Sequence, residues 1–106
     1  MKTTTQLLIE PYSKYKQFLD ICKDKTYPED CVLHKHHIIP KCLGGTNAKN
    51  NLIMLSVEDH IAAHLILSKC FDDGSAEQIS NLRSARILNK KSIKDQETLK
   101  RIANTF

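Results

Sequence analysis

The sequence predicts an α+β fold in which a small β-hairpin packs on a helix and further α-helices flank the pair. Three observations carry this expectation. Two short segments, 31–38 and 51–55, read as strands, and the polar segment between them contains Pro40 and Gly44-Gly45. A helix start follows at once in Ser56-Val57-Glu58-Asp59. Helical spacing then marks the stretches on either side. A chain of 106 residues accommodates one domain with one modest core. The reading is therefore a single domain, 1–106, with a hairpin-and-helix core at about 31–70, an N-terminal helix at 11–25 and C-terminal helices at 75–104.

Each element has its own warrant. Pro11 suits a first helical turn, and Tyr15, Phe18, Leu19 and Cys22 form a stripe at i, i+3, i+4 and i+7. That stripe reads as core rather than as a partner surface. The first strand, 31–38, ends at Pro40, and Gly44-Gly45 allows a turn with positive φ in the following loop. The apolar run Leu52 to Leu55 fits a buried strand. Ser56 can cap the amide three residues on, while Asp59 can reach back in the manner of a capping box. Glu58 and Asp59 also sit at the positive end of the helix. This helix is expected to run to about Cys70 or Phe71. Ser75 with Gln78 opens another, with Ile79, Leu82 and Leu88 as its apolar positions, and a last helix is expected over 95–104, with Leu99, Ile102 and Ala103 inward.

Composition narrows the function classes. Sixteen Lys and Arg against twelve Asp and Glu give a net charge of +4, which permits nucleic acid as a partner without establishing it. No stretch approaches the roughly 20 apolar residues of a membrane helix, and Leu7-Leu8-Ile9 is too short for a signal-peptide core. The cysteines at 22, 31, 42 and 70 contain no Cys-x-x-Cys pair, which disfavours a zinc ribbon and reads as reduced thiols in a cytoplasmic setting.

One feature stands out of this bland composition: all five histidines fall between positions 34 and 64. His60 and His64, four apart on a helix, share one face and can bind one metal ion. Their neighbours Ile61-Ala62-Ala63 and Leu65-Ile66-Leu67 make the setting apolar, where imidazoles need partners. Along the first strand, His34 and His36 share one face and His37 takes the other. The hairpin can therefore offer one of the first two to the metal while His37 points elsewhere. Three ligands leave an open position for water or substrate, and an unligated imidazole nearby can serve as general base. That combination suits phosphodiester hydrolysis.

Taken together, His36-His37-Ile38-Ile39-Pro40-Lys41, Gly44-Gly45, Asn51-Leu52 and His60-x-x-x-His64 resemble the HNH endonucleases with their ββα-metal fold, and the small phage-borne variety in particular. The resemblance covers about residues 31–70. It implies a metal-dependent DNA endonuclease or nickase, encoded by a phage or a bacterial host. His37 would be the general base and His36, His60 and His64 the ligands of one divalent ion (magnesium, manganese, zinc or nickel) that stabilises the leaving group. Asn51 matches the central Asn, which in the family braces the loop and the catalytic histidine or binds the metal. Phage relatives place an acidic residue two before the histidine pair. Here that position is His34, whose role stays open between additional ligand, phosphate contact and spectator.

Basic residues extend the picture. Lys35 and Lys41 border the expected site and can contact phosphates. Residues 83–101 carry Arg83, Arg86, Lys90, Lys91, Lys94, Lys100 and Arg101 against Asp95 and Glu97. The excess of that stretch is larger than that of the whole chain. Beside a nuclease-like site it reads as an electrostatic footprint for DNA, with a solvated helix face as the plainer meaning. Limited sequence specificity or a homodimer is expected of so small a chain. Two alternatives to the nuclease remain: a structural-zinc nucleic-acid-binding module built on Cys31, His34, His60 and His64, and a catalytically inactive HNH-like interaction protein.

Overall fold

The structure, a computed structural model, describes the backbone of residues 7–105 and the side chains of residues 7–90. Helix α1 spans Ile9–Lys23. Pro11 lies in its first turn, where a missing N–H leaves no bond unmade. Tyr15, Leu19 and Cys22 are its buried residues, and Phe18 packs against the core they enter. The helix ends two residues before its expected end, so Lys25 and Tyr27 belong to the connection that follows.

Strands β1 (Leu33–His37) and β2 (Leu52–Ser56) form a two-stranded antiparallel sheet. Its register sets His36 opposite Ile53 and His34 opposite Leu55. Ile53 and Leu55 are buried and Met54 is exposed, so the inward face of the sheet carries the two apolar residues together with His34 and His36. Helix α2, Val57–Ser68, leaves β2 directly. Ser56 Oγ accepts the amide of Asp59 at 3.2 Å, as the sequence leads one to expect. The Asp59 carboxylate turns elsewhere: it accepts Lys25 Nζ at 2.8 Å and the Tyr27 hydroxyl at 2.7 Å. That clamp ties the connection between α1 and β1 to the first turn of α2.

The core lies where α1, the inner sheet face and α2 meet, with Tyr15, Leu19, Leu55, Ala63, Leu67 and Cys70 at its centre. Leu8 donates its amide to Cys70 O at 2.8 Å, which joins the start of α1 to the end of α2. The α2 helix stops at Ser68, two residues short of the expected end. Gly74, at φ +79°, makes the turn that follows.

Helix α3 corrects the expectation of two C-terminal helices. It runs unbroken from Ala76 to Thr105. Residues 89–94 contain neither Gly nor Pro, so no residue there ends a helix. Ser75 Oγ caps the amide of Gln78 at 3.2 Å. The docked face is also a correction. Of the expected apolar positions, Ile79 and Leu82 are 47% and 42% exposed and Leu88 is half-buried, whereas Asn81 and Ala85 are buried. The face turned to α2 is lined by a small side chain and an amide, the latter because it meets imidazoles rather than aliphatic groups. Leu99, Ile102 and Ala103 lie outside the described side chains. Among the described residues no helix is long and apolar enough to cross a membrane.

The connection from β1 to β2 contains two short 3-10 turns, Lys41–Leu43 and Lys49–Asn51. Its two glycines serve different ends. Gly44 has φ +88°, the left-handed conformation that L side chains avoid. Gly45 needs its missing Cβ: one built there would stand 2.6 Å from Ile39 C and 2.9 Å from Pro40 O. Gly45 therefore allows the loop to fold back on the chain that follows His37. Gly45→Ala is expected to lower the unfolding free energy by about 1–3 kcal/mol through this clash, measured as a drop in urea midpoint. An unchanged midpoint would show that the loop is not held against Ile39.

Candidate metal centre and its cleft

The sheet and α2 bring four imidazoles together. The ring centroid of His36 lies 5.2 Å from that of His60 and 5.0 Å from that of His64, and the last two are 4.9 Å apart. His34 stacks edge-on against His60 at 5.3 Å. His36, His60 and His64 each direct a ring nitrogen to one place, these atoms all lying within 4.8 Å of one another. The Nε2 atoms of His60 and His64 are 3.2 Å apart. A tetrahedral zinc ion with Zn–N near 2.0–2.1 Å requires ligand nitrogens roughly 3.3 Å from each other. The donor set, the spacing of the His60–His64 pair and the neutral state of the rings thus fit one divalent ion.

Neutrality follows from burial. Desolvation, reinforced by the nearby His64, His60 and His37, pushes His36 down to about 3. Desolvation, with His64 and His34 beside it, pushes His60 down to about 4. His64 is lowered by burial and raised in part by its bond to Asn81. Neutral imidazole is the form that binds metal.

Each ring has an outer partner. The Tyr15 hydroxyl lies 2.8 Å from His36 Nε2 and also meets the carbonyls of His37 and Ile38, at 3.2 and 2.9 Å. Asn81 Oδ1 lies 2.8 Å from His64 Nδ1, and its amide nitrogen donates to Glu77 O. His34 Nδ1 lies 3.1 Å from His60 Nδ1. Asn81 carries no local signal of this role, because its link to His64 exists only once α3 lies on α2. Tyr15 is core as expected, but its hydroxyl also holds a site histidine.

His37 follows the strand alternation and faces away from this cluster. Its Nε2 donates to Asn47 Oδ1 at 2.8 Å. Asn47, in the loop between the strands, is thus the side chain that orients His37. Asn51 acts on the backbone instead. Its Oδ1 accepts Ile39 N at 2.7 Å, and its Nδ2 donates to Ile39 O and Thr46 O at 3.1 and 2.8 Å. Buried at 7% exposure, it holds the chain just after His37 to the loop carrying Asn47. These hydrogen bonds go to backbone groups and not to an imidazole.

One cleft of about 170 Å³ is lined by His36, His37, His60 and His64 together with Lys35 and Lys41. Both lysines are exposed. On α3, Arg83, Arg86 and Lys90 are exposed, and the side chain of Lys91 lies outside the described residues. Cys31 is not among the converging ligand atoms; its thiol lies against Val32 O.

The buried rings predict a pH dependence. The folded chain holds protons on His36, His60 and His64 more weakly than the unfolded chain, whose histidines titrate near 6.5. Unfolding therefore takes up protons below that pH, and stability rises with pH through the window. In chelator, the thermal midpoint should be highest above about pH 6.5 and fall as pH drops from there toward about 4. His36→Gln should flatten that slope. A midpoint constant across this window would contradict the neutral cluster.

Over 36 residues the chain is 56% identical to the probable mobile endonuclease B of Enterobacteria phage T4, a segment that is 34% of this chain and 14% of that protein. Over 62 residues it is 39% identical to the probable mobile endonuclease E of the same phage, covering 58% of this chain and 32% of the relative. A 33-residue segment is 58% identical to an uncharacterized 38.5 kDa protein in psbA intron 1 of Chlamydomonas moewusii, covering 31% and 10%. The chain thus spans less than a third of the length of these relatives. No family model matches the chain, and no solved structure does. Similarity to phage mobile endonucleases is thereby established over part of the chain.

Proposed function

We propose that the chain carries the active centre of an HNH-type, metal-dependent endonuclease that hydrolyses phosphodiester bonds in DNA. The observation that carries the reading is the division of labour on β1: His36 points into a cluster with His60 and His64, while His37, next along the strand, points away yet lines the same cleft. The partial similarity to phage mobile endonucleases supports the same reaction class.

In this reading DNA lies along the cleft, with Lys35 and Lys41 against its phosphates. Asn47 Oδ1 accepts His37 Nε2–H, so Nδ1 of His37 is the bare nitrogen that takes a proton from the attacking water. Asn51 holds the backbone after His37, so that the imidazole keeps its aim. The hydroxyl attacks phosphorus and the 3′-oxygen leaves, giving 5′-phosphate and 3′-hydroxyl ends. His36, His60 and His64 would hold a divalent ion, which would supply the positive charge that offsets the negative charge developing in the reaction. Arg83, Arg86 and Lys90 extend the positive surface along α3, and Lys91 continues it in sequence. The same helix contributes Asn81, which meets His64, so the basic face lies on the element that supports the cluster.

The test separates base from ligand. Plasmid cleavage by the purified chain is measured with Mg²⁺, Mn²⁺, Ni²⁺ or Zn²⁺ and again with chelator. His37→Ala is expected to lower the cleavage rate by about 10²–10⁴-fold while zinc affinity stays at the wild-type value. His60→Ala and His64→Ala should lose both. Cleavage undiminished in His37→Ala, or equal loss of zinc in all three variants, would overturn the assignment.

A further inference from the structure

The hydrogen-bond pattern around the cluster fixes where the protons sit. The Tyr15 hydroxyl has one hydrogen, and the carbonyls of His37 and Ile38 can only accept it. Toward His36 the phenolic oxygen is then an acceptor, so His36 carries its hydrogen on Nε2 and its Nδ1 is bare. Asn81 Nδ2 donates to Glu77 O, which turns Oδ1 to His64. His64 therefore carries its hydrogen on Nδ1, and its Nε2 is bare. The neighbouring Nε2 of His60, 3.2 Å away, must be the donor of that pair. His60 Nδ1 is then bare and receives the Nδ1–H of His34 across 3.1 Å. Two of the three converging rings thus present a bare nitrogen, and the third, His60, presents N–H.

We propose that His34 is a positioning residue for His60, and that the two imidazoles exchange tautomers when a divalent cation takes His60 Nε2. The inference rests on the metal reading above. A cation needs His60 Nε2 bare. A neutral imidazole has one N–H, which must then sit on Nδ1, where His34 Nδ1 is its hydrogen-bond partner among the described residues. The hydrogen of His34 Nδ1 passes to His60 Nδ1, the hydrogen of His60 Nε2 leaves to water, and water returns one to His34 Nε2. Each ring carries one hydrogen before and after, so the exchange takes up and releases no net proton. His34 Nε2 makes no hydrogen bond among the described residues, which leaves it open to water. His34 then accepts from the ligand and fixes its ring, the role that a carboxylate or carbonyl fills behind many metal-bound histidines.

The experiment follows the full chain labelled with ¹⁵N-histidine, at a pH above the imidazole range, by long-range ¹H–¹⁵N correlation in chelator and then with added Zn²⁺. Without zinc, His34 should be the Nδ1–H tautomer and His60 the Nε2–H tautomer. With zinc the two should swap, while His36 and His64 keep theirs. His34→Ala should weaken zinc binding by about 10–100-fold, and His34→Asp, which keeps an acceptor, should restore the affinity. Zinc bound with His34 still Nδ1–H, or with unchanged affinity in His34→Ala, overturns this inference and leaves the metal reading intact. A chain with the stated tautomers that binds no zinc overturns both.

Discussion

Imidazoles placed between an apolar sheet face and an apolar helix lose much of their water, and a buried ring nitrogen then needs a partner inside the protein. That constraint organises the structure. Tyr15 on α1 serves His36, Asn81 on α3 serves His64, and His34 on β1 serves His60. The two flanking helices therefore complete the site as well as enlarging the core. The same burial that demands these partners keeps the rings neutral, which is the state in which they can hold a cation. Among the described residues no buried side-chain polar atom lacks a hydrogen bond, so the demand is met in full.

The central fold was legible because its signals are local. Strand alternation separated His37 from His34 and His36. The Ser56 cap located α2, and the four-residue spacing placed His60 and His64 on one face. Helix α3 was less legible. Its docked face is set by Asn81 and Ala85, a polar and a small residue that carry little hydrophobic signal, while the stronger apolar signal of Ile79 and Leu82 lies on the exposed side. The expected division of α3 in two had no breaker residue behind it. The outer partners of the histidines were hidden for a different reason. Tyr15, Asn47 and Asn81 reach their imidazoles across 21, 10 and 17 residues of sequence, and no periodicity encodes such a meeting. Asn51 was legible as a bracing residue, but the structure directs its side chain to backbone groups of Ile39 and Thr46, and gives the imidazole of His37 to Asn47.

The loop between the strands joins these two halves of the site. Gly45 permits the close return onto Ile39, Asn51 ties that return to Thr46, and Asn47 beyond it reaches His37. His37 is thus aimed by a loop side chain whose position the backbone return sets. The cluster on the other face of the strand is aimed by side chains from α1 and α3. Neighbouring residues of one strand thus answer to separate supports, which suits two distinct chemical tasks in one cleft. Lys35 and Lys41 line that cleft, and the basic surface of α3 continues from the helix that supplies Asn81.

X-ray absorption at the zinc edge of the zinc-loaded chain addresses the central claim, that His36, His60 and His64 hold one ion, most directly. The account predicts three imidazole nitrogens at about 2.0–2.1 Å, with the multiple-scattering signature of histidine, one further light-atom ligand and no sulfur. A sulfur scatterer near 2.3 Å would bring Cys31 into the ligand set and contradict the account, as would a first shell without imidazole.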